Sequence, residues 1–259
     1  MRQAVATPKP VTKGLSITRL VQDFVSDSTR AWDLSPGMII LLEILPFMIA
    51  LSGVVAALLG KNVYVWYTRE DGIVEDGQIL FYSLTLVLSL INARRQWCAG
   101  EKMEASLFLG FSLCLFFLIG EEISWGQRIF GWQTVGSLSS LNKQDEYNLH
   151  NFYGVESTFK WIQMLVGAYG SILPLVVLRW KVPDRFEKFA ATTIPHFSLI
   201  PYFFMMFIWK IFRNLTDVPE RFNFVVSEYN EVLELILAVG FFLFMIYQLR
   251  RSRRKDVNL

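Results

Sequence analysis

Six apolar runs of near-membrane length govern what this chain can become: residues 37–60, 78–93, 105–122, 159–178, 195–212 and 224–249. A run of roughly 20 apolar residues closes its backbone hydrogen bonds within one helix while its side chains face lipid. Barrel strands would instead alternate over about 10 residues. The expected fold is all-α: a polytopic membrane helix bundle of about six transmembrane helices. The second run is the shortest, and its start is placed either at Gln78 or nearer Gly72. A 53% hydrophobic content with 22 Phe in 259 residues excludes an ordinary water-soluble domain.

Residues 1–36 hold no apolar core of the signal-peptide kind, so no cleavable leader is expected among them. Ile17, Leu20, Val21, Phe24 and Val25 recur at helical spacing, which predicts an amphipathic helix on the membrane surface. Three segments follow: a cytoplasmic amphipathic stretch over 1–36, a six-span membrane domain over 37–249 with an outer polar loop at 123–158, and a basic tail over 250–259. Cys98 falls at a membrane edge and Cys114 inside the third run, so no disulfide is expected.

Lys and Arg concentrate in alternate segments, 1–36, 94–102, 179–188 and 250–255, and the acids show the opposite bias. The positive-inside rule then places both termini in the cytoplasm of a multi-pass cell-membrane protein. Trp66, Trp125, Trp132, Trp161 and Trp209 fall at outer boundaries on this map, and Trp32, Trp97 and Trp180 at inner ones, as an aromatic belt does.

Carboxylates within or beside a membrane are costly and mark candidate sites. Glu121 and Glu122 end the third run, Glu228, Glu231 and Glu234 open the sixth at three-residue spacing, and REDGIVEDGQ leads into the second. These elements reach the same outer leaflet. The long connection after Glu122 contains Ile123, Trp125, Ile129, Phe130 and Trp132, which read as an amphipathic stretch along the outer interface. Further on, Glu146 and His150 stand four apart, one helical turn, with Asn148 and Asn151 nearby.

One divalent metal ion held by Glu146, His150, Glu122, Glu228 and Glu231 is one reading of this set. In its catalytic form Glu121 or Glu122 serves as ligand or general base, and Arg128 holds an anionic group. A pocket for a lipid head group or sugar is a second reading. In a third, the acids pair with Arg128, Lys143 and Lys160 and brace the bundle. Ser124 lacks the G-x-S-x-G turn that would present it as a nucleophile to His150. On the cytoplasmic side, His196 follows Pro195 at the start of the fifth run, with Glu43 as its candidate partner. Pro46, Pro174 and Pro201 interrupt spans, yet no internal repeat of the carrier type relates the two halves.

The runs GEEISWGQRIFGWQT and LNKQDEYNLHN, with REDGIVEDGQ before them, resemble a group of bacterial multi-pass membrane proteins of uncharacterised function. The resemblance implies a membrane location and a shared polar motif running from Glu121 to Asn151. The paired Glu121 and Glu122 also give a weaker likeness to the CAAX-type intramembrane endopeptidases. That pattern places an arginine four residues after the second glutamate, where this chain has Gly126 and reaches Arg128 only later. His150 and His196 would also lie on opposite sides of the membrane.

The functional expectation is an integral membrane protein whose extracytoplasmic acidic and histidine pocket binds a cation or polar head group, extending to a metal-dependent enzyme acting on a lipid-linked envelope substrate. The alternative is a non-catalytic subunit or scaffold of an envelope or export complex. The partners implied are the lipid bilayer, a lipid-linked substrate or a membrane protein, with no nucleic acid.

Overall fold

A computed structural model of the chain describes residues 17–69, 72–132 and 156–257. Every regular element among them is helical. Two compact units divide at Leu42 and Glu43. The first contains α1 (Ile17–Trp32), the amphipathic helix expected from its apolar spacing, in which Leu20 and Val21 are exposed. Trp32 departs from the expected belt: it is 1% exposed, so its indole serves as packing and not as an interfacial anchor.

Six helices are long and apolar enough to cross a membrane, and the protein is an integral multi-pass membrane protein in contact with lipid. α2 (Pro36–Leu58) starts on a proline, which loses no intrahelical hydrogen bond at that position, and carries Pro46 inside. α3 (Lys61–Thr68) is a two-turn helix preceding α4 (Ile73–Cys98). At 26 residues α4 is longer than the short run read from the sequence. Its first turn carries Glu75 and Asp76, which suit the positive end of the helix dipole, and its last turn carries Arg95. The polar caps belong to the helix although hydropathy excludes them.

α5 (Lys102–Glu122) and the four-residue α6 (Gln127–Phe130) are separated by a 3-10 turn at Ser124–Gly126. α7 (Glu156–Arg179) follows. The fifth candidate span is composite: α8 (Asp184–Thr193) stops before Pro195, a 3-10 turn covers Phe197–Leu199, and α9 (Ile200–Leu215) resumes. α10 (Glu220–Val257) has 38 residues. That is about 57 Å of helix, nearly twice the hydrocarbon core, so the basic run from residue 250 continues the last helix as far as Val257.

Within the second unit α4 packs between α5 and α10, α7 lies along α9, and α9 touches α10. The apolar window of α10 is 56% buried against 22% for α7, which makes α10 the central helix and leaves α7 facing lipid. Tyr82, Leu115 and Ala238 form a buried cluster among α4, α5 and α10, packed by Phe81, Phe111 and Phe241. α7 and α9 approach backbone to backbone, because a Cβ at Gly167 would stand 2.7 Å from the Phe207 nitrogen. In lipid, where apolar side chains gain little by leaving their surroundings, such small-residue contacts hold helices together.

A carboxylate cluster where three helices end

The buried face of α4 is polar. Glu75, Gln78, Tyr82, Thr85, Ser89 and Asn92 are all buried and recur at steps of three and four residues, a single stripe along the helix. The first of them lie where α10 begins and α5 ends. Gln78 Nε2 donates to the Glu231 carbonyl at 2.9 Å and to Glu231 Oε2 at 3.2 Å, which ties α4 to α10. Glu234, Glu122 and Glu228 all act electrostatically on Glu231. The sequence-predicted acids Glu122, Glu228 and Glu231 therefore gather at one end of the bundle.

Other helices supply the surrounding donors. Thr68 Oγ1, on α3, donates to Glu228 Oε2 at 3.4 Å, and Tyr64 Oη donates to the Val225 carbonyl at 2.7 Å, so two residues of α3 hold the first turns of α10. Gln163 Nε2 of α7 donates to Glu234 Oε1 at 2.7 Å, and Asn230 Nδ2 donates to the same oxygen. Lys210, buried on α9, donates to Asn230 Oδ1 at 2.7 Å and lies within the field of Glu234 and Glu231. Gln78 is fully buried, and its Oε1 has no hydrogen-bond partner among the described residues.

Glu121 is built into a turn. Ser124, Trp125 and Gly126 have φ of 46°, 51° and 86°, three successive left-handed residues. For L-residues that conformation costs roughly 1–2 kcal/mol each. The turn folds Trp125 back along α5, where its Nε1 donates to Glu121 Oε1 at 2.8 Å and its ring meets Phe116 and Phe117 edge-on. Along the amphipathic stretch of 123–132, Trp125, Phe130 and Trp132 are exposed apolar side chains, and the left-handed turn separates α5 from α6. It leaves Glu121 buried at 2% exposure under an indole, not open to an outer pocket.

Glu146, His150, Asn148, Asn151 and Lys143 lie outside the described residues, as does the side chain of Arg128 on α6. The pairing of the acids with these groups is therefore not among the described contacts. No group of three or more His, Cys, Asp and Glu side chains among the described residues is arranged to hold a metal ion. The metal reading draws on Glu146 and His150 as well, which lie outside the described residues. Within the described set Glu231 accepts from Gln78 and Glu228 from Thr68.

At the other end His196 Nδ1 pairs with Ser198 Oγ at 2.9 Å and its ring lies on Tyr247, 5.1 Å between centroids. The Glu43 partnership expected for it does not close through Glu43 Oε1, which is buried without a hydrogen-bond partner. Gln78, Gln163, Asn230 and Lys210 are the site residues that hydropathy reading passed over. The polar recurrence within the second run, at helical steps, was the signal for Gln78; a lysine inside the apolar run IPYFFMMFIWKIF was the signal for Lys210.

Comparison with protein-family models, with curated proteins and with solved structures returns no match to this chain.

Proposed function

We propose that the carboxylate cluster is an extracytoplasmic binding site for a positively charged head group, with an amine-bearing lipid or lipid-linked envelope molecule as its ligand. The observation that carries this reading is the field of Glu122, Glu228 and Glu234 on the buried Glu231, where α5 ends and α10 begins. Ionised carboxylates gathered in a low-dielectric setting repel each other, and a cation entering among them relieves the repulsion. The alternation of basic segments supports an extracytoplasmic position for this end. Scaffolding within a larger envelope complex is supported by Glu121 and Glu234, which already accept protein hydrogen bonds.

In nanodiscs, the unaltered protein is expected to retain an ethanolamine lipid over a glycerol lipid by about tenfold, the effect of roughly 1.4 kcal/mol. Glu231→Gln is expected to remove that preference. Equal retention of both lipids by the unaltered protein would leave the scaffold reading. Elemental analysis separates the metal-dependent form: a stoichiometric metal lost in both Glu146→Ala and His150→Ala supports it, and a metal-free unaltered protein ends it.

A further inference from the structure

The polar stripe of α4 does not stop at the carboxylate cluster. Beyond Asn92 it reaches Gln96, whose Nε2 donates to Ser252 Oγ of α10 at 3.4 Å. From Glu75 to Gln96 the helix rises about 31 Å, the thickness of a hydrocarbon core. The stripe therefore matches a hydrocarbon core in length, on a face buried from Glu75 to Asn92.

Part of this stripe joins helices. Ser89 Oγ donates to the Phe108 carbonyl of α5 at 2.8 Å, and Asn92 Nδ2 donates to the Met245 carbonyl of α10 at 3.2 Å. That use engages the donors and leaves acceptors over. Gln78 Oε1 and Asn92 Oδ1 are both buried without a hydrogen-bond partner among the described residues, on residues that are fully buried, 14 positions apart on the same face. A buried acceptor calls for a donor, which a bridging water would supply. Successive stripe residues are separated by about 4.5–6 Å of helical rise, close to the span of two hydrogen bonds through one bridging water.

Titratable groups stand at both ends. At the first are Glu75 of α4, Glu122 of α5, Glu228, Glu231 and Glu234 of α10, and Lys210 of α9. At the second is Glu104, buried in the first turn of α5, whose charge reaches Arg251 of α10 and Lys188 of α8. Tyr82 lies between them, within the field of Glu234, Glu122 and Glu231.

We propose that this seam is a proton path across the membrane, joining the carboxylate cluster to Glu104 through Gln78, Tyr82, Thr85, Ser89 and Asn92. A proton taken up on a carboxylate oxygen at one end is relayed by exchange of donor and acceptor roles along hydroxyls and bridging water. It is released from the carboxyl at the other end, with no bond to carbon altered and no electron moved. The path stands apart from the head-group reading, since a seam can carry protons whether or not a lipid occupies the cluster.

The test uses the full chain in liposomes with a trapped pH-sensitive dye, driven by a potassium gradient and valinomycin. Proton entry is expected to exceed that of protein-free liposomes. Thr85→Val and Asn92→Leu are each expected to lower it about tenfold, the effect of one lost hydrogen bond on a barrier. Thr85→Ser, which keeps the hydroxyl, restores the flux. Thr193→Val leaves it unchanged, because Thr193 stands at the end of α8, off the α4 stripe. Flux no higher than in protein-free liposomes overturns the proposal, and so does unaltered flux in both Thr85→Val and Asn92→Leu. A lowered unfolding temperature without any flux assigns the stripe to helix joining alone.

Discussion

Trp125 shows how a single side chain organises the end of α5. Its indole holds the buried Glu121 carboxylate, and its ring rests on Gly120, where a Cβ would stand 2.9 Å from the ring carbons. Gly120→Ala is expected to push the indole off its seat and destabilise the fold by about 1–3 kcal/mol, as overpacking does. Trp125→Phe keeps a ring but removes the donor to Glu121, a loss of roughly 1–3 kcal/mol for a hydrogen bond to a carboxyl. Both are read from thermal unfolding in detergent. Gly126→Ala introduces a Cβ at φ 86° and is expected to cost about 1 kcal/mol in the same measurement. The aromatic spacing of Trp125, Phe130 and Trp132 was visible in the sequence, but the turn was not, because no residue pattern announces a left-handed conformation at serine and tryptophan.

At the scale of the element, the interface of α7 with α9 and the seam of α4 follow different rules. Gly167→Leu is expected to part α7 from α9, since its side chain would occupy the place of the Phe207 backbone. The measurable result is earlier unfolding in detergent, with Gly110→Leu, which meets open space, as the silent control. The six spans were legible because apolar length alone specifies a spanning helix, and the acids at the ends of the third and sixth runs were legible because charge stands out there. The second span was under-read for the reason that makes it interesting. Gln78, Thr85, Ser89 and Asn92 lower its hydropathy, yet they are buried: α5 and α10 supply partners to Gln78, Ser89 and Asn92, and Thr85 bonds the Phe81 carbonyl of its own helix. A hydropathy window averages faces, and only the three-and-four spacing separates them. Likewise the length of α10 exceeded its apolar run because its polar ends remain helical beyond the hydrocarbon region.

For the whole molecule, the segregation of basic residues predicts sidedness. Cys98 is exposed beside Arg94 and Arg95, whereas Trp132 follows the carboxylate end of α5. In a Cys114→Ser background, a membrane-impermeant maleimide is expected to label Cys98 in inverted vesicles only. A Trp132→Cys, Cys98→Ser, Cys114→Ser protein is expected to react in intact cells only. The opposite result would place the carboxylates at the cytoplasmic face and remove the head-group reading while leaving the proton path in place. α4 and α10 meet in one register, with Gln78 at Glu231 and Gln96 far down the seam at Ser252. A cysteine pair at positions 78 and 231, in a chain without Cys98 and Cys114, tests that register directly with a short thiol cross-linker. Efficient cross-linking at 78 and 231, and none for a pair at 96 and 231 about 27 Å away along the helix, is the predicted result. Cross-linking of the 96 and 231 pair, or failure of the 78 and 231 pair, would contradict it.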